Sequence, residues 1–222
     1  MANANLESGG PESRSVVLDF DGTVTESDLL DRIALEFGDP AVYQEVEDGL
    51  HEGHLPLREV IVREFEPVTA PLAEVVAWVL DEAQVRAGLA EFVDAAHADG
   101  WQVHVVSSGF EELIEPVLER EGLTGVELLS NTVDPDPDGW KVRFRVSEVC
   151  DVCGQPCKRS TAAALADGTE LVYVGDGYSD RCAAESADLV FARRGLASYL
   201  EERGVPFERF EDFHSIARSL AS

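Results

Sequence analysis

Apolar positions along the chain follow two patterns that alternate. Residues 15–20 (SVVLDF) form a β-branched run that ends in polar residues and glycine, which reads as a buried strand. Residues 102–106 (QVHVV), 171–174 (LVYV) and 187–192 (ADLVFA) repeat the theme. Between these runs the apolar period becomes helical, over 89–99, 111–120 and 158–166, and the first of these stretches stops at Gly100. Strands alternating with helices predict an α/β chain, a parallel sheet with helices on both faces.

Two regions break the alternation. From 27 to 85 only helical patterns occur, for example over 28–37, 57–65 and 72–80, with breaks at Gly38-Asp39-Pro40 and Glu66-Pro67. Such a stretch, placed just after the first strand, predicts a separate helical cap. Residues 131–149 hold a turn-rich segment, DPDPDG at 134–139, followed by alternating Val142, Phe144 and Val146, which predicts a hairpin or a projecting strand. The expected division is a tail at 1–14, a core at 15–26 and 86–222, and a cap at 27–85. The opening residues are small and polar, without the basic start and apolar stretch of a secretory signal.

Composition adds limits. A chain of 222 residues suits one α/β domain with a smaller insertion, and 45% hydrophobic with 27% charged residues is ordinary for a soluble globular protein. The formal net charge is −27, from 44 acidic against 17 basic residues, and the only lysines are Lys141 and Lys158. That balance excludes nucleic acid and anionic membranes as expected partners, and no apolar run reaches the roughly 20 residues of a membrane span. A lysine-poor acidic surface fits either a high-salt habitat, where ions screen self-repulsion, or an arginine-rich genome. The cysteines are Cys150, Cys153, Cys157 and Cys182. With no export signal, a cytoplasmic setting and reduced thiols or a metal site are expected rather than disulfides.

Three strands end in residues able to do chemistry, and in open α/β sheets ligands bind beyond the carboxyl ends of the strands. Asp19 and Asp21, two apart on an extended chain, point to the same side, and a pair of close carboxylates suits a nucleophile and a general acid/base. Ser107, Ser108 and Gly109 lie between a strand and a helix, where hydroxyls and backbone N–H groups favour an anion, although a plain N-cap would read the same way. Asp176 and Asp180 follow another strand and suit a hard cation such as Mg²⁺, or simply a capped turn.

The order of these segments resembles the haloacid dehalogenase-like phosphohydrolase superfamily: DFDGT at 19–23, VVSSGF at 105–110, Lys158, and GDGYSD at 175–180. The resemblance runs from about residue 15 to 195 and implies a Rossmann-like core with a type-one helical cap. It also implies Mg²⁺-dependent hydrolysis of a small phosphorylated metabolite through an aspartyl-phosphate. On that resemblance Asp19 is the nucleophile and a Mg²⁺ ligand. Asp21 is the general acid/base, with its carbonyl on the metal. Ser107, helped by Ser108 and Gly109, binds the phosphoryl group, and Lys158 neutralises it. Asp176 holds Mg²⁺, and Asp180 orients Lys158 or the metal shell.

SSGF is similar to the SGGF of phosphoserine phosphatases, with Ser108 departing from the first glycine. In that subgroup Asp28 would meet a substrate amine and Arg58 a substrate carboxylate, and phosphoserine is the first expectation. DGTVTESD and the cysteine-rich stretch also resemble the methionine-salvage enolphosphate phosphatases and the phosphoethanolamine/phosphocholine phosphatases. In CDVCGQPCK, Cys150, Cys153 and Cys157 fit either a zinc knuckle, with Cys182 or a histidine completing four ligands, or reduced thiols. A phosphotransferase or mutase, or a binding protein that has lost catalysis, would carry the same motifs. No oligomeric state follows from the sequence.

Overall fold

The computed structural model describes residues 13–221 except residue 124. Seven strands form one sheet: β1 (Arg14–Leu18), β2 (Gln102–Phe110), β3 (Glu127–Asp134), β4 (Lys141–Arg143), β5 (Glu170–Gly175), β6 (Leu189–Ala192) and β7 (Glu208–Arg209). Their spatial order is β4-β3-β2-β1-β5-β6-β7, and every pairing is parallel except β3 with β4. This is the α/β class expected from the alternating pattern. The expected tail lies outside the described residues up to residue 12, whereas Arg14 already opens β1, one residue before the apolar run.

The helices are α1 (Leu29–Phe37), α2 (Pro40–His51), α3 (Leu57–Phe65), α4 (Leu72–Glu82), α5 (Leu89–Ala98), α6 (Glu111–Arg120), α7 (Arg159–Ala166), α8 (Arg181–Ala184), α9 (Arg194–Arg203) and α10 (Phe213–Leu220). Asp28 and Lys158, expected inside helices, stand just outside them; Asp28 caps α1 by accepting the Asp31 N–H at 3.1 Å. The helix α2 begins at the expected break, with Asp39 as its cap and Pro40 in its first turn.

Strand alternation divides the core. On one side of the sheet Val16, Leu18, Val103, Val105, Val172 and Val174 pack with Phe92, Leu113, Phe213 and Ile216 from α5, α6 and α10. On the other side Val17, Val106, Leu171 and Tyr173 pack with Ala162, Ala183, Leu196 and Leu200 from α7, α8 and α9. Helices α1–α4 leave and re-enter through a narrow neck, where Thr25 bridges Val85, Glu26 N–H donates to the Gln84 carbonyl at 2.9 Å, and Arg86 N–H donates to the Val24 carbonyl at 2.8 Å. These helices carry a small apolar cluster of their own, Val46, Leu50 and Val60, between α2 and α3.

The expected hairpin is formed by β3 and β4, and its turn is pinned to the helices. Trp140 is buried, its Nε1–H donates to the Ala70 carbonyl at 3.0 Å, and its ring stacks on Phe65, which meets Phe110 edge-on at 4.7 Å. This packing sets the hairpin, α3 and the end of β2 around one cavity. No helix among the described residues is long and apolar enough to cross a membrane.

Candidate active site

Strand register assembles the site. Leu18 is level with Val105 on one side and with Val174 on the other, so β1, β2 and β5 leave the sheet at the same edge. Asp19, Ser107 and Asp176 follow within two residues. The Asp19 N–H makes the last sheet bond, to the Val174 carbonyl at 2.9 Å. The chain then turns sharply: Thr25 N–H donates to the Phe20 carbonyl at 3.0 Å, and Gly22 N–H donates to the Thr25 hydroxyl at 3.1 Å. Gly22 has φ +75°, and a Cβ there would stand 2.2 Å from Asp176 Oδ2, so glycine is what lets the turn approach that carboxylate. The buried Arg86 donates to the carbonyls of Gly22, Thr23 and Thr25 at 3.0, 2.9 and 3.0 Å and holds the turn from behind.

The charged groups form one network. Lys158, at the start of α7, is buried and its ammonium donates to Asp19 Oδ1 and, at 2.8 Å, to Asp180 Oδ1. Burial alone would lower its pKa, but the Asp180 and Asp19 carboxylates outweigh that and hold it up, so the ammonium stays charged. Asp180 is fully buried; Oδ1 also accepts the Tyr173 hydroxyl at 2.8 Å, and Oδ2 accepts the N–H groups of Asp176 and Gly177, both at 3.0 Å. Asp176 accepts the Thr23 hydroxyl at 3.3 Å and an Arg194 N–H at 3.4 Å.

Negative charge is in surplus here. Burial and the neighbouring Asp180 push the carboxyl of Asp19 up, and the same two causes push that of Asp176 up to about 6. Asp21, whose Oδ1 accepts the Leu29 N–H at 3.1 Å, is raised by burial, then by Asp28 and Asp19. Carboxylate oxygens of Asp19, Asp176 and Asp180 lie within 4.8 Å of one another. An all-oxygen donor set with more carboxylates than cations fits a hard divalent ion such as Mg²⁺.

The remaining expected residues fall in different places. Ser107 is buried and its Oγ accepts the Gly109 N–H at 2.9 Å; Gly109 lies close to Asp21, since a Cβ there would stand 3.0 Å from Asp21 Oδ2. The segment 107–109 is not a helix cap, because β2 continues through it with a register shift between Val106 and Phe110, and α6 starts only at Glu111. Ser107, Ser108, Lys158 and Arg58 line a cavity of about 480 Å³, together with Leu57, Ile61, Phe144 and Val146. Asp28, like Asp19, Asp21 and Asp176, is not among its lining residues; it sits beside Asp31, and burial followed by Asp31 raises its carboxyl to about 7. Cys153, Cys157 and Cys182 border the same cavity.

A strand-end aspartate facing a buried lysine, beside an acidic oxygen cluster and a hydroxyl loop, matches one family. The model of the haloacid dehalogenase-like hydrolases matches residues 16–185. The chain belongs to that family. It is 29% identical over 217 residues to a 2-hydroxy-3-keto-5-methylthiopentenyl-1-phosphate phosphatase of Brevibacillus brevis, covering 94% of this chain and 96% of the relative. To a protein of the same name from an Exiguobacterium species it is 31% identical over 212 residues, covering 92% and 96%. A substrate-bound phosphoserine phosphatase structure superposes with a TM-score of 0.74 at 21% identity, covering 94% and 99%, a likeness that speaks for the fold. This haloacid dehalogenase-like hydrolase is a phosphoric monoester hydrolase. The curated relatives carry the name expected as the methionine-salvage alternative, not that of the phosphoserine first expectation.

Sequence reasoning missed several supports of this hydrolase's site. Tyr173 reads as core within LVYV, yet its hydroxyl holds Asp180. Arg86 and Arg194 lie outside any motif, and Arg194 adopts φ +44° while reaching Asp176 and the Glu26 carbonyl. Asn131, on β3, donates to the Ser108 carbonyl at 2.7 Å and fixes the hydroxyl loop. Arg86, Arg194 and Asn131 act across at least 18 residues, so no local pattern marks them, and Tyr173, seven residues from Asp180, is hidden inside an apolar run.

Proposed function

We propose that the protein hydrolyses an enolphosphate of the methionine-salvage type, with residues 27–85 acting as a cap over the core and Asp19 as the nucleophile. The observation that carries the mechanism is the buried contact of Lys158 with Asp19 and Asp180. An Asp19 oxygen attacks phosphorus and the bond to the substrate oxygen breaks, leaving an aspartyl-phosphate. Asp21, whose carboxyl is raised by burial and by the neighbouring Asp28 and Asp19, protonates the departing oxygen. Its carboxylate then takes a proton from water, which attacks phosphorus and releases inorganic phosphate and free Asp19. Lys158 and the backbone around Ser107–Gly109 stabilise the charge on the transferring oxygens. Mg²⁺ held by Asp19, Asp176 and the Asp21 carbonyl would neutralise the phosphoryl group. The oxygens of Asp180 are occupied by Lys158, Tyr173 and two backbone N–H groups, so we assign it to positioning Lys158 rather than to the metal.

Two things favour the enolphosphate over phosphoserine. The curated relatives act on a methylthio-bearing enolphosphate by name. The arginine expected to read a substrate carboxylate is also engaged elsewhere. Arg58 donates to the Val146 carbonyl at 3.0 Å and lies over the Phe144 ring at 4.0 Å. Leu57, Ile61, Phe144 and Val146 instead give the cavity an apolar wall suited to a thioether.

The test is phosphate release with Mg²⁺ from the enolphosphate, phosphoserine, phosphoethanolamine and phosphocholine, with and without an alcohol acceptor. The enolphosphate should be the best substrate and water the acceptor. A higher kcat/KM for phosphoserine would overturn the substrate, and transfer to the alcohol would overturn hydrolysis.

A further inference from the structure

The loop that delivers Lys158 has little apolar support: Phe144 packs against the core at its start, and no residue of 145–157 does. Residues 144–157 form no helix or strand and none of them is buried, and Val149 and Val152 are 63% and 61% exposed. A segment of that kind has little hydrophobic burial to offset its ordering entropy. Yet its last residue, Cys157, adjoins a lysine whose ammonium is fixed against two buried carboxylates.

Four thiols gather on this loop. Cys150, Cys153 and Cys157 come from it and Cys182 from α8, and their sulfurs all lie within 4.8 Å of one another. The Sγ atoms of Cys150 and Cys182 are 3.8 Å apart and all four cysteines are free. A disulfide needs sulfurs about 2.05 Å apart. Thiolates bound at about 2.3 Å to one tetrahedral zinc stand about 3.8 Å from each other, the edge of that tetrahedron.

The backbone is arranged for such an ion. Gly154 N–H donates to the Cys150 carbonyl at 2.9 Å and Cys150 N–H to the Gln155 carbonyl at 3.1 Å, closing the CxxC turn on itself. The backbone N–H groups of Cys153 and Val152 donate to the Cys150 sulfur. N–H donors of this kind orient and stabilise a metal-bound thiolate. An all-sulfur set selects a soft or borderline ion and discriminates against Mg²⁺.

We propose that Cys150, Cys153, Cys157 and Cys182 bind one Zn²⁺, closing a structural site that clamps the Lys158 loop to the segment carrying Asp180. Four protein ligands leave no open position for chemistry. Cys157 immediately precedes Lys158 and Cys182 lies two residues beyond Asp180. Arg159 adds a bond to the Cys182 carbonyl at 3.0 Å across the same junction. Only the stated purpose of the clamp rests on the proposed role of Lys158; the metal site does not.

The experiment measures metal in the full-length protein, made with zinc in the medium and desalted into Mg²⁺ buffer. About one zinc per chain is expected, in the natural protein and in Asp19→Asn alike. Cobalt refolded into the protein should give intense thiolate-to-metal charge-transfer bands and a tetrahedral visible spectrum, both lost in Cys182→Ser. A natural protein with no zinc and no cobalt bands, whose four thiols react freely with a thiol reagent in the folded state, would overturn the proposal. So would a disulfide found by mass in the native protein. Zinc retained by an inactive protein would count against the phosphatase mechanism while leaving the metal site standing.

Discussion

The carboxylate cluster and the thiol cluster flank the same lysine but are held by opposite means. Asp19, Asp176 and Asp180 come from the ends of β1 and β5, are buried, and are fixed by sheet register and by bonds from Lys158, Tyr173, Thr23 and backbone N–H groups. The sulfurs of Cys150, Cys153 and Cys157 belong to one irregular, poorly buried loop, and Cys182 alone reaches them from the scaffold. The scaffold makes the first site, whereas the second, with its ion, would make its own scaffold. A cluster that must open to a substrate can leave ligand positions vacant because the sheet holds it; a clamp cannot. The lysine between them needs both, since its partners lie in one cluster and its backbone leads into the other.

The comparison can be broken most strongly at Asp19, the proposed nucleophile. Asp19→Asn should lower kcat by about 10⁴-fold or more, because covalent catalysis is lost outright, while zinc content stays unchanged. Phosphate release and metal analysis on the same sample check both halves.

Lys158→Met tests the shared element. Activity should fall by about 10³-fold through loss of charge stabilisation. Removing one partner from a buried ion pair should also cost about 3–5 kcal/mol, read as a lower denaturant midpoint. An active Lys158→Met protein would separate the two clusters functionally.

Chelation distinguishes the sites by lability. Brief treatment with a chelator in Mg²⁺-free buffer should abolish phosphate release, with full recovery on adding Mg²⁺. Zinc should stay bound through the same treatment, because closed thiolate sites exchange slowly and oxygen sites keep bound waters.

Smaller effects sharpen the picture. Tyr173→Phe removes one buried bond to Asp180, which should cost about 1 kcal/mol of stability. It should reduce kcat about tenfold by loosening Lys158, a positioning effect that leaves KM near its natural value. Arg58→Ala should raise KM only a few-fold, roughly 1 kcal/mol, since the guanidinium packs the cavity wall by stacking on Phe144. A loss of phosphoserine binding specific to Arg58→Ala would instead restore the amino-acid reading.

The legible parts of this protein are those with short-range causes. Short continuous apolar runs gave β1, β2, β5 and β6 to within a few residues, because a strand buried on both faces must be apolar along its length. DFDGT and GDGYSD stood out because carboxylates at i and i+2, or around a glycine turn, have a fixed local geometry. The edge strand β7 is two residues long and carries no pattern, and β3 was seen only through the turn that follows it. The segment 107–109 was expected at a helix start, but pairing of β2 with β3 carried the strand past it.

By itself the sequence determined the alternating α/β plan and the motifs that place the chain in its family. Tertiary structure decided which residues of those motifs meet. The register of β1 against β2 and β5 brought Asp19, Ser107 and Asp176 to one edge. Tyr173 and Arg86, silent in the sequence, were recruited because buried carboxylates and turn carbonyls must find donors somewhere. The same packing placed Arg58 on the cavity wall and brought Cys182 to three thiols at least 25 residues away. Distances across a fold are set by packing and strand register, which no stretch of neighbouring residues encodes alone.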